Sequence, residues 1–331
     1  MLWQQASDLR DLVLTYIDLT TTIYFHLESN LELTYMKIMS WLLPPRLAEI
    51  VYTVLLRPKP LRKLANWLLL RLIPIKIHVA GTDLYLNPKD PVLSSAVAFG
   101  VYEPWEQQLF SDLCQPGFTV VDLGANVGLY TAVAARAVGK TGQVISIEPH
   151  AESFSYLQKT IVANDLSQVR AFNVACGNRS DKVALYLCDD NKADSRLYDT
   201  TGMRRKTEVE MIMLDDLLDR LSISRVNVIK MDIQGSEALA LRGMRKTIQR
   251  TPKIKLLCEY WPWGIRATGE SPESFLEELA SLGFVFYTIN EARRKLEHVV
   301  SIKSLEEKSS ADEYTSKTLL RSHYNFLCVK G

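Results

Sequence analysis

The run Val120-Val121-Asp122-Leu123-Gly124-Ala125-Asn126-Val127-Gly128 limits what this chain can fold into more than any other feature. Its apolar start suits a strand buried on both faces. The glycines let the backbone turn sharply and pass close to a ligand. The alanine- and valine-rich stretch behind Gly128 has helical spacing, so a helix starts at the turn and its free N–H groups face the same place. Strand, glycine turn and helix in that order open a βαβ unit.

The rest of the chain repeats the alternation. Strands are expected at 119–123, 144–148, 169–174, 226–232, 255–259, 284–289 and 325–330, and helices at 128–138, 151–164, 237–249 and 272–282. Such alternation makes a mostly parallel sheet. Runs at 182–187 and 208–213, with a short helix at 215–221, interrupt it and read as a β excursion on the sheet's rim. Residues 291–322 are highly charged and poor in large apolar groups, as in a helix-loop insertion or a mobile segment. Ahead of the alternation, residues 1–75 read as helical segments punctuated by Pro44-Pro45 and by Pro58 and Pro60. Runs at 76–79 and 84–86 flank Ala80-Gly81-Thr82-Asp83 as a hairpin. The 331 residues thus divide into a helical extension, 1–75, and an α/β domain, 76–331. With 47% apolar and 23% charged residues, collagen-like, low-complexity and largely disordered classes are excluded.

The glycine pattern separates ligands. A nicotinamide fingerprint would be G-x-G-x-x-G, but Asn126 stands where the second glycine would be, and the G-K-[ST] of a phosphate loop is absent. Glu148 ends the next strand twenty residues after Gly128, the distance at which an acid can grip ribose hydroxyls. D-x-G-x-x-x-G followed by a strand-end acid resembles the nucleoside site of class I S-adenosylmethionine methyltransferases. A tight turn in an unrelated α/β domain is the structural alternative.

Three further motifs stand in order around this one: Tyr102-Glu103-Pro104 before it, and after it Ile229-Lys230-Met231-Asp232-Ile233-Gln234-Gly235-Ser236-Glu237 and Glu259-Tyr260-Trp261-Pro262. Together they resemble the FkbM family of methyltransferases, over roughly residue 81 to the C-terminus. The chain departs from the family pattern at Gln234, where a glutamate is usual. The resemblance implies a Rossmann-like class I methyltransferase fold, with a mostly parallel seven-stranded sheet and an antiparallel C-terminal strand. It implies S-adenosyl-L-methionine as cofactor. Asp122 and Gly124 would shape the methionine end, with Asn126 and Gly128 beside it. Tyr102 and Glu103 would cover the pocket, Glu148 would take the ribose hydroxyls, Val174-Ala175 would border the adenine, and Asp232 would lie near the methyl donor.

Methyl transfer to an alcohol needs the nucleophile held in line and its proton removed. Asp232 is the first candidate base or substrate-orienting group, with accepting from the methionine amino group as an equal alternative; Glu259 and Glu237 stand behind it. For Glu237 a helix N-terminal charge is the preferred reading. His150 is expected to be a solvent-exposed residue at a helix start. No metal is expected, since the histidines lack ligand spacing. The aromatic run 260–263 is expected to line an acceptor pocket rather than to pack behind the fifth strand. The polar segment 189–205 is either a lid or a solvated loop.

Formal charge nearly cancels at +1, which argues against a nucleic acid partner. The balance hides a swing from −3 over residues 1–45 to +6 over 46–80. A basic helical block of that kind can contact anionic membrane surfaces peripherally or simply cap the domain. The N-terminal residues do not read as a signal peptide, and no apolar run of about 20 residues and no C-x-x-C are found. Five scattered cysteines suit a reducing, cytoplasmic compartment. The acceptor implied is a small molecule or glycan, methylated on oxygen. A binding or scaffold protein without turnover is the rival reading, favoured by Gln234, and a nucleic-acid methyltransferase is the third.

Overall fold

The computed structural model describes residues 73–90, 92–98, 100, 102–188, 191–301 and 324–330. The expectations for most of the helical extension and the basic block 46–80, and for 302–322 of the charged insertion, lie outside these residues.

Strands β1 (Lys76–Val79) and β2 (Thr82–Tyr85) form an antiparallel hairpin. Ala80 and Gly81 turn it, both at positive φ (49° and 70°), as two-residue hairpin loops require. Helices α1 (Leu93–Ala98) and α2 (Pro104–Leu113) follow. Then come β3 (Thr119–Leu123), α3 (Leu129–Val138), β4 (Gln143–Ile147), α4 (Ala151–Ala163) and β5 (Val169–Phe172). Every residue of β3 is buried, as an apolar run in a parallel sheet must be.

The β excursion is a separate three-stranded sheet. It comprises β6 (Ala175–Cys176), β7 (Asp181–Tyr186) and β8 (Lys206–Ile212), in the order β6-β8-β7. Helix α5 (Leu214–Arg220) and β9 (Val228–Met231) return the chain to the main sheet.

The helix expected over 237–249 is two helices, α6 (Glu237–Arg242) and α7 (Arg245–Arg250). The break has a cause in another element. The Asp215 carboxylate accepts from the N–H groups of Lys246 and Thr247 (3.0 and 2.8 Å) and so caps α7. A Cβ on Gly243 would lie 1.9 Å from the Gly177 carbonyl oxygen.

The C-terminal part runs β10 (Lys255–Tyr260), α8 (Pro262–Ala267), α9 (Pro272–Ser281), β11 (Phe284–Asn290), β12 (Lys295–His298) and β13 (Tyr324–Lys330). The main sheet is ordered β12-β11-β13-β10-β9-β3-β4-β5. The five strands from β10 to β5 are mutually parallel, and β13 inserts antiparallel between β10 and β11. All seven expected strands are present. The eighth, β12, lies in the segment expected to be helix or loop; it pairs with β11 across a short turn.

Alternate side chains of the central strands feed two cores. Val120, Val144, Val228 and Leu257 pack with the hairpin, α2 and α3. Val121, Ile145, Ile229 and Leu256 pack with α5, α6, α7 and α9. This three-layer arrangement leaves the carboxyl ends of the parallel strands as the open edge, where ligands of such sheets bind. Among the described residues no helix is long and apolar enough to cross a membrane.

Candidate functional site

The turn after β3 is built by residues with left-handed backbones: Gly124 (φ 84°), Asn126 (47°) and Gly128 (98°). The N–H groups of Gly124 and Ala125 both donate to the Ile147 carbonyl at 3.0 Å, tying the turn to the end of β4. A Cβ on Gly124 would lie 1.9 Å from the Asp232 carbonyl oxygen, so glycine is what lets β3 and β9 meet here. At Gly128 a Cβ would come within 2.8 Å of Leu157 Cδ1 on α4.

Glu148 follows β4. Its carboxylate accepts from the Asn126 N–H (2.8 Å) and the His150 N–H (2.7 Å). Burial pushes its carboxyl up to about 7 against the pull of these two bonds. Below the turn, Asp122 Oδ2 accepts from the Thr131 hydroxyl at 2.7 Å, and Ser146 stands 2.8 Å from that hydroxyl. Asp122 Oδ1 is buried with no partner, and burial raises the group above the usual carboxylate range.

A second polar group fills the space between α2, α3 and the central strands. Lys230 is buried; its ammonium lies 3.3 Å from Asp232 Oδ2 and 4.2 Å from the centre of the Tyr130 ring. Burial pulls its pKa down, but Asp232, Asp122, Glu106 and Glu103 together more than reverse this and keep it charged. The Tyr130 hydroxyl lies 3.0 Å from both Glu103 Oε2 and Glu106 Oε1. The Asn325 amide on β13 donates to both of these glutamates. A phenol has one proton, so one of its two contacts requires a protonated carboxyl. Burial, with Glu103 adding its charge, moves Glu106 up to about 8 and fits it to that role.

Residues 122–286, half of the chain, match the methyltransferase FkbM domain. The chain belongs to the FkbM methyltransferase family. Its sheet order is that of a class I methyltransferase, with the pair β11–β13 beside β10 and β12 added at the edge. Two curated relatives are named as methyltransferases. Methyltransferase 1 of Beauveria bassiana (strain ARSEF 2860) is 26% identical over 144 residues, 38% of this chain and 57% of that protein. Methyltransferase sdnD of Sordaria araneosa is 22% identical over 177 residues, 44% of this chain and 68% of that one. The chain therefore spans little more than half the length of the first relative. A solved FkbM methyltransferase from Methylobacillus flagellatus is 16% identical, with 81% of this chain and 59% of that one aligned and a TM-score of 0.38.

A cleft opens at the carboxyl edge of the sheet in this FkbM domain. Of the residues singled out in the sequence, Tyr102, Gly124, Asn126, Glu148, Ala175 and Asp232 line it. Asp122 supports the turn from beneath, Glu103 sits in the Tyr130–Asn325 group, and Gly128 packs on α4. Val174 packs on the core, and Cys176, which was not singled out, lines the cleft beside Ala175. Glu259 reaches Asp232 through Gln234, whose amide nitrogen is 3.0 Å from Asp232 Oδ1 and 3.2 Å from Glu259 Oε2.

Three readings are corrected. His150 is buried, not exposed: its Nδ1 accepts from the Ser153 N–H at 3.2 Å and caps α4. Residues 260–263 are absent from the cleft lining. Tyr260 stacks on Phe275 and packs at a tilt on Phe326, while Trp261 and Trp263 pack on the guanidinium of Arg196. Segment 191–205, offered as a lid or a solvated loop, is docked. Arg196 is buried among Trp261, Trp263 and Tyr198, and Asp194 pairs with both Arg196 and Arg204. Lys192, Ser195 and Arg196 thereby become a wall of the cleft.

Glu237 is buried and accepts from the N–H groups of Ile233 and Gly235 (3.0 and 3.2 Å), holding the turn after β9 rather than facing the acceptor. Lys230, Tyr130, Glu106 and Asn325 carried no expected role. Beyond the place of Lys230 in the 229–237 motif, the physical signal is a lysine inside an otherwise apolar strand, which burial makes costly unless it is paired.

Proposed function

We propose that this chain is an S-adenosylmethionine-dependent methyltransferase that methylates a hydroxyl of a glycan or other small natural-product acceptor. The observation that carries the reading is the meeting, at one strand edge, of the left-handed glycine turn and the buried Glu148 carboxylate, both facing a single cleft. The residues present fit the cofactor. Glu148 keeps lone pairs beyond its two backbone bonds for ribose hydroxyls. The turn Gly124–Asn126 offers close backbone approach, and Asp122 Oδ1 is a buried acceptor without a partner beneath it. Ala175 and Cys176 give a small, apolar wall for a flat base, and Tyr102 lines the same cleft.

The bound cofactor would supply an electrophilic methyl group on sulfur. The chain's own part is to orient the acceptor and take its proton. Asp232 lies at the carboxyl end of β9, lines the cleft and is one-quarter exposed (23% for its side chain), so it can reach an acceptor hydroxyl and receive its proton. Before that transfer Lys230 stabilises the carboxylate against its acidic neighbours.

Calorimetric titration of the purified chain with S-adenosylmethionine tests the reading. Saturable binding is expected, and absence of heat at millimolar ligand would overturn it. Glu148→Ala should weaken binding by about tenfold or more, the loss of one or two charge-assisted hydrogen bonds.

A further inference from the structure

Gln234 stands in the turn after β9 with φ 55°, a left-handed backbone that glycine adopts more easily. A larger residue kept at such a position is kept by its surroundings. Its amide nitrogen touches Asp232 Oδ1 and Glu259 Oε2 together. An NH2 group carries two hydrogens, so it donates to both carboxyls at once. The flipped amide would set its oxygen against two carboxyl oxygens, which decides the assignment.

Asp232 Oδ2 also accepts from the Lys230 ammonium. Both oxygens of Asp232 thus receive donors, the arrangement of an ionised carboxylate. Glu259 is the member that keeps a proton: burial raises it well above the usual carboxyl range, and the Asp232 charge raises it further. Among the described residues, the groups that act on Asp232 include Asp122 on β3, Glu148 after β4, Tyr102 and Glu103 before α2, Glu237 on α6 and Cys258 on β10. Lys230 is a cation set against them.

We propose that Gln234 is a positioning residue: its two amide hydrogens clamp Asp232 and Glu259 and keep Asp232 the ionised, proton-accepting member of the pair. The role rests on the methyl-transfer reading of the cleft. In the reaction the proton of an acceptor hydroxyl passes to the Asp232 carboxylate, leaving a neutral carboxylic acid, while Gln234 and Glu259 stay unchanged. A glutamate at 234 would bring a third carboxyl into the same space. A glycine would relax the backbone and remove the donor.

Carboxyl-carbon NMR titration of the full chain reads the two states directly, with the resonances assigned through Asp232→Asn and Glu259→Gln. In Gln234→Gly the Asp232 midpoint should rise by about one pH unit, a tenfold gain in proton affinity, for a lost hydrogen bond to a charged group. The fold, checked by circular dichroism, should be retained. Gln234→Glu should show a third titrating carboxyl and displace both original midpoints. Midpoints unchanged in both variants overturn the clamp. Calorimetry with S-adenosylmethionine on the same samples separates the two ideas. Binding with an unaltered titration overturns the clamp alone; an altered titration without binding by the wild type overturns the methyl-transfer reading, and the proton-accepting role with it.

Discussion

At the scale of single residues, this protein is governed by positions where no other side chain fits. Gly124 is the clearest. Its φ of 84° disfavours any Cβ, and the space a Cβ would take belongs to the Asp232 carbonyl. Gly124→Ala should destabilise the fold by roughly 2–4 kcal/mol, combining backbone strain and overpacking. It should also abolish S-adenosylmethionine binding, because β9 must move away from β3. Urea denaturation and calorimetry measure the two effects separately. The glycine itself was legible in the sequence, since strand, glycine and helix signals coincide there. The partners of Lys230 were not. Asn325 and Glu106 are 219 positions apart and meet only because β13 inserts beside β10.

At the scale of elements, local chemistry explains most boundaries and distant caps explain the exceptions. The β1–β2 turn uses Ala80 at φ 49°, where asparagine is better suited. Ala80→Asn should stabilise the fold by about 0.5 kcal/mol, read from the denaturation midpoint at unchanged slope. The 191–205 strap is held by Arg196, whose guanidinium centre lies 4.4 Å from the Trp261 ring centre and whose Nε donates to Asp194 at 2.7 Å. Arg196→Ala should free the strap and speed limited proteolysis between 187 and 206. Arg196→Lys should not restore protection, because an ammonium cannot stack on the rings and pair with Asp194 together. The strap's docking was invisible in sequence because its composition is polar and its anchor, the aromatic run at 261–263, belongs to a different element. The break between α6 and α7 was hidden for the same reason, since Asp215 caps α7 from α5.

At the scale of the molecule, the sheet edge concentrates buried carboxyls, and this gives stability a pH dependence. Glu106 is raised to about 8, and Glu148 and Glu237 to about 7, each chiefly by burial. A carboxyl with a raised pKa binds protons more tightly folded than unfolded. Stability is therefore greatest below the unfolded value near 4.5 and falls as pH rises towards 8, where the loss levels off. Stability should fall steadily across this range, and Glu106→Gln should remove the part of the slope above pH 7. Thermal unfolding across that range checks both statements; a flat profile in the wild type would overturn them. The sequence alone determined the α/β class, the seven strands, the glycine turn and the acid at Glu148, because these depend on hydrophobic period, glycine conformation and short spacing. Tertiary structure decided the Lys230 group, the Gln234 contacts, the docked strap and the burial of His150. Those depend on which strand ends become neighbours, and burial, which sets the charge states there, exists only once the layers have closed.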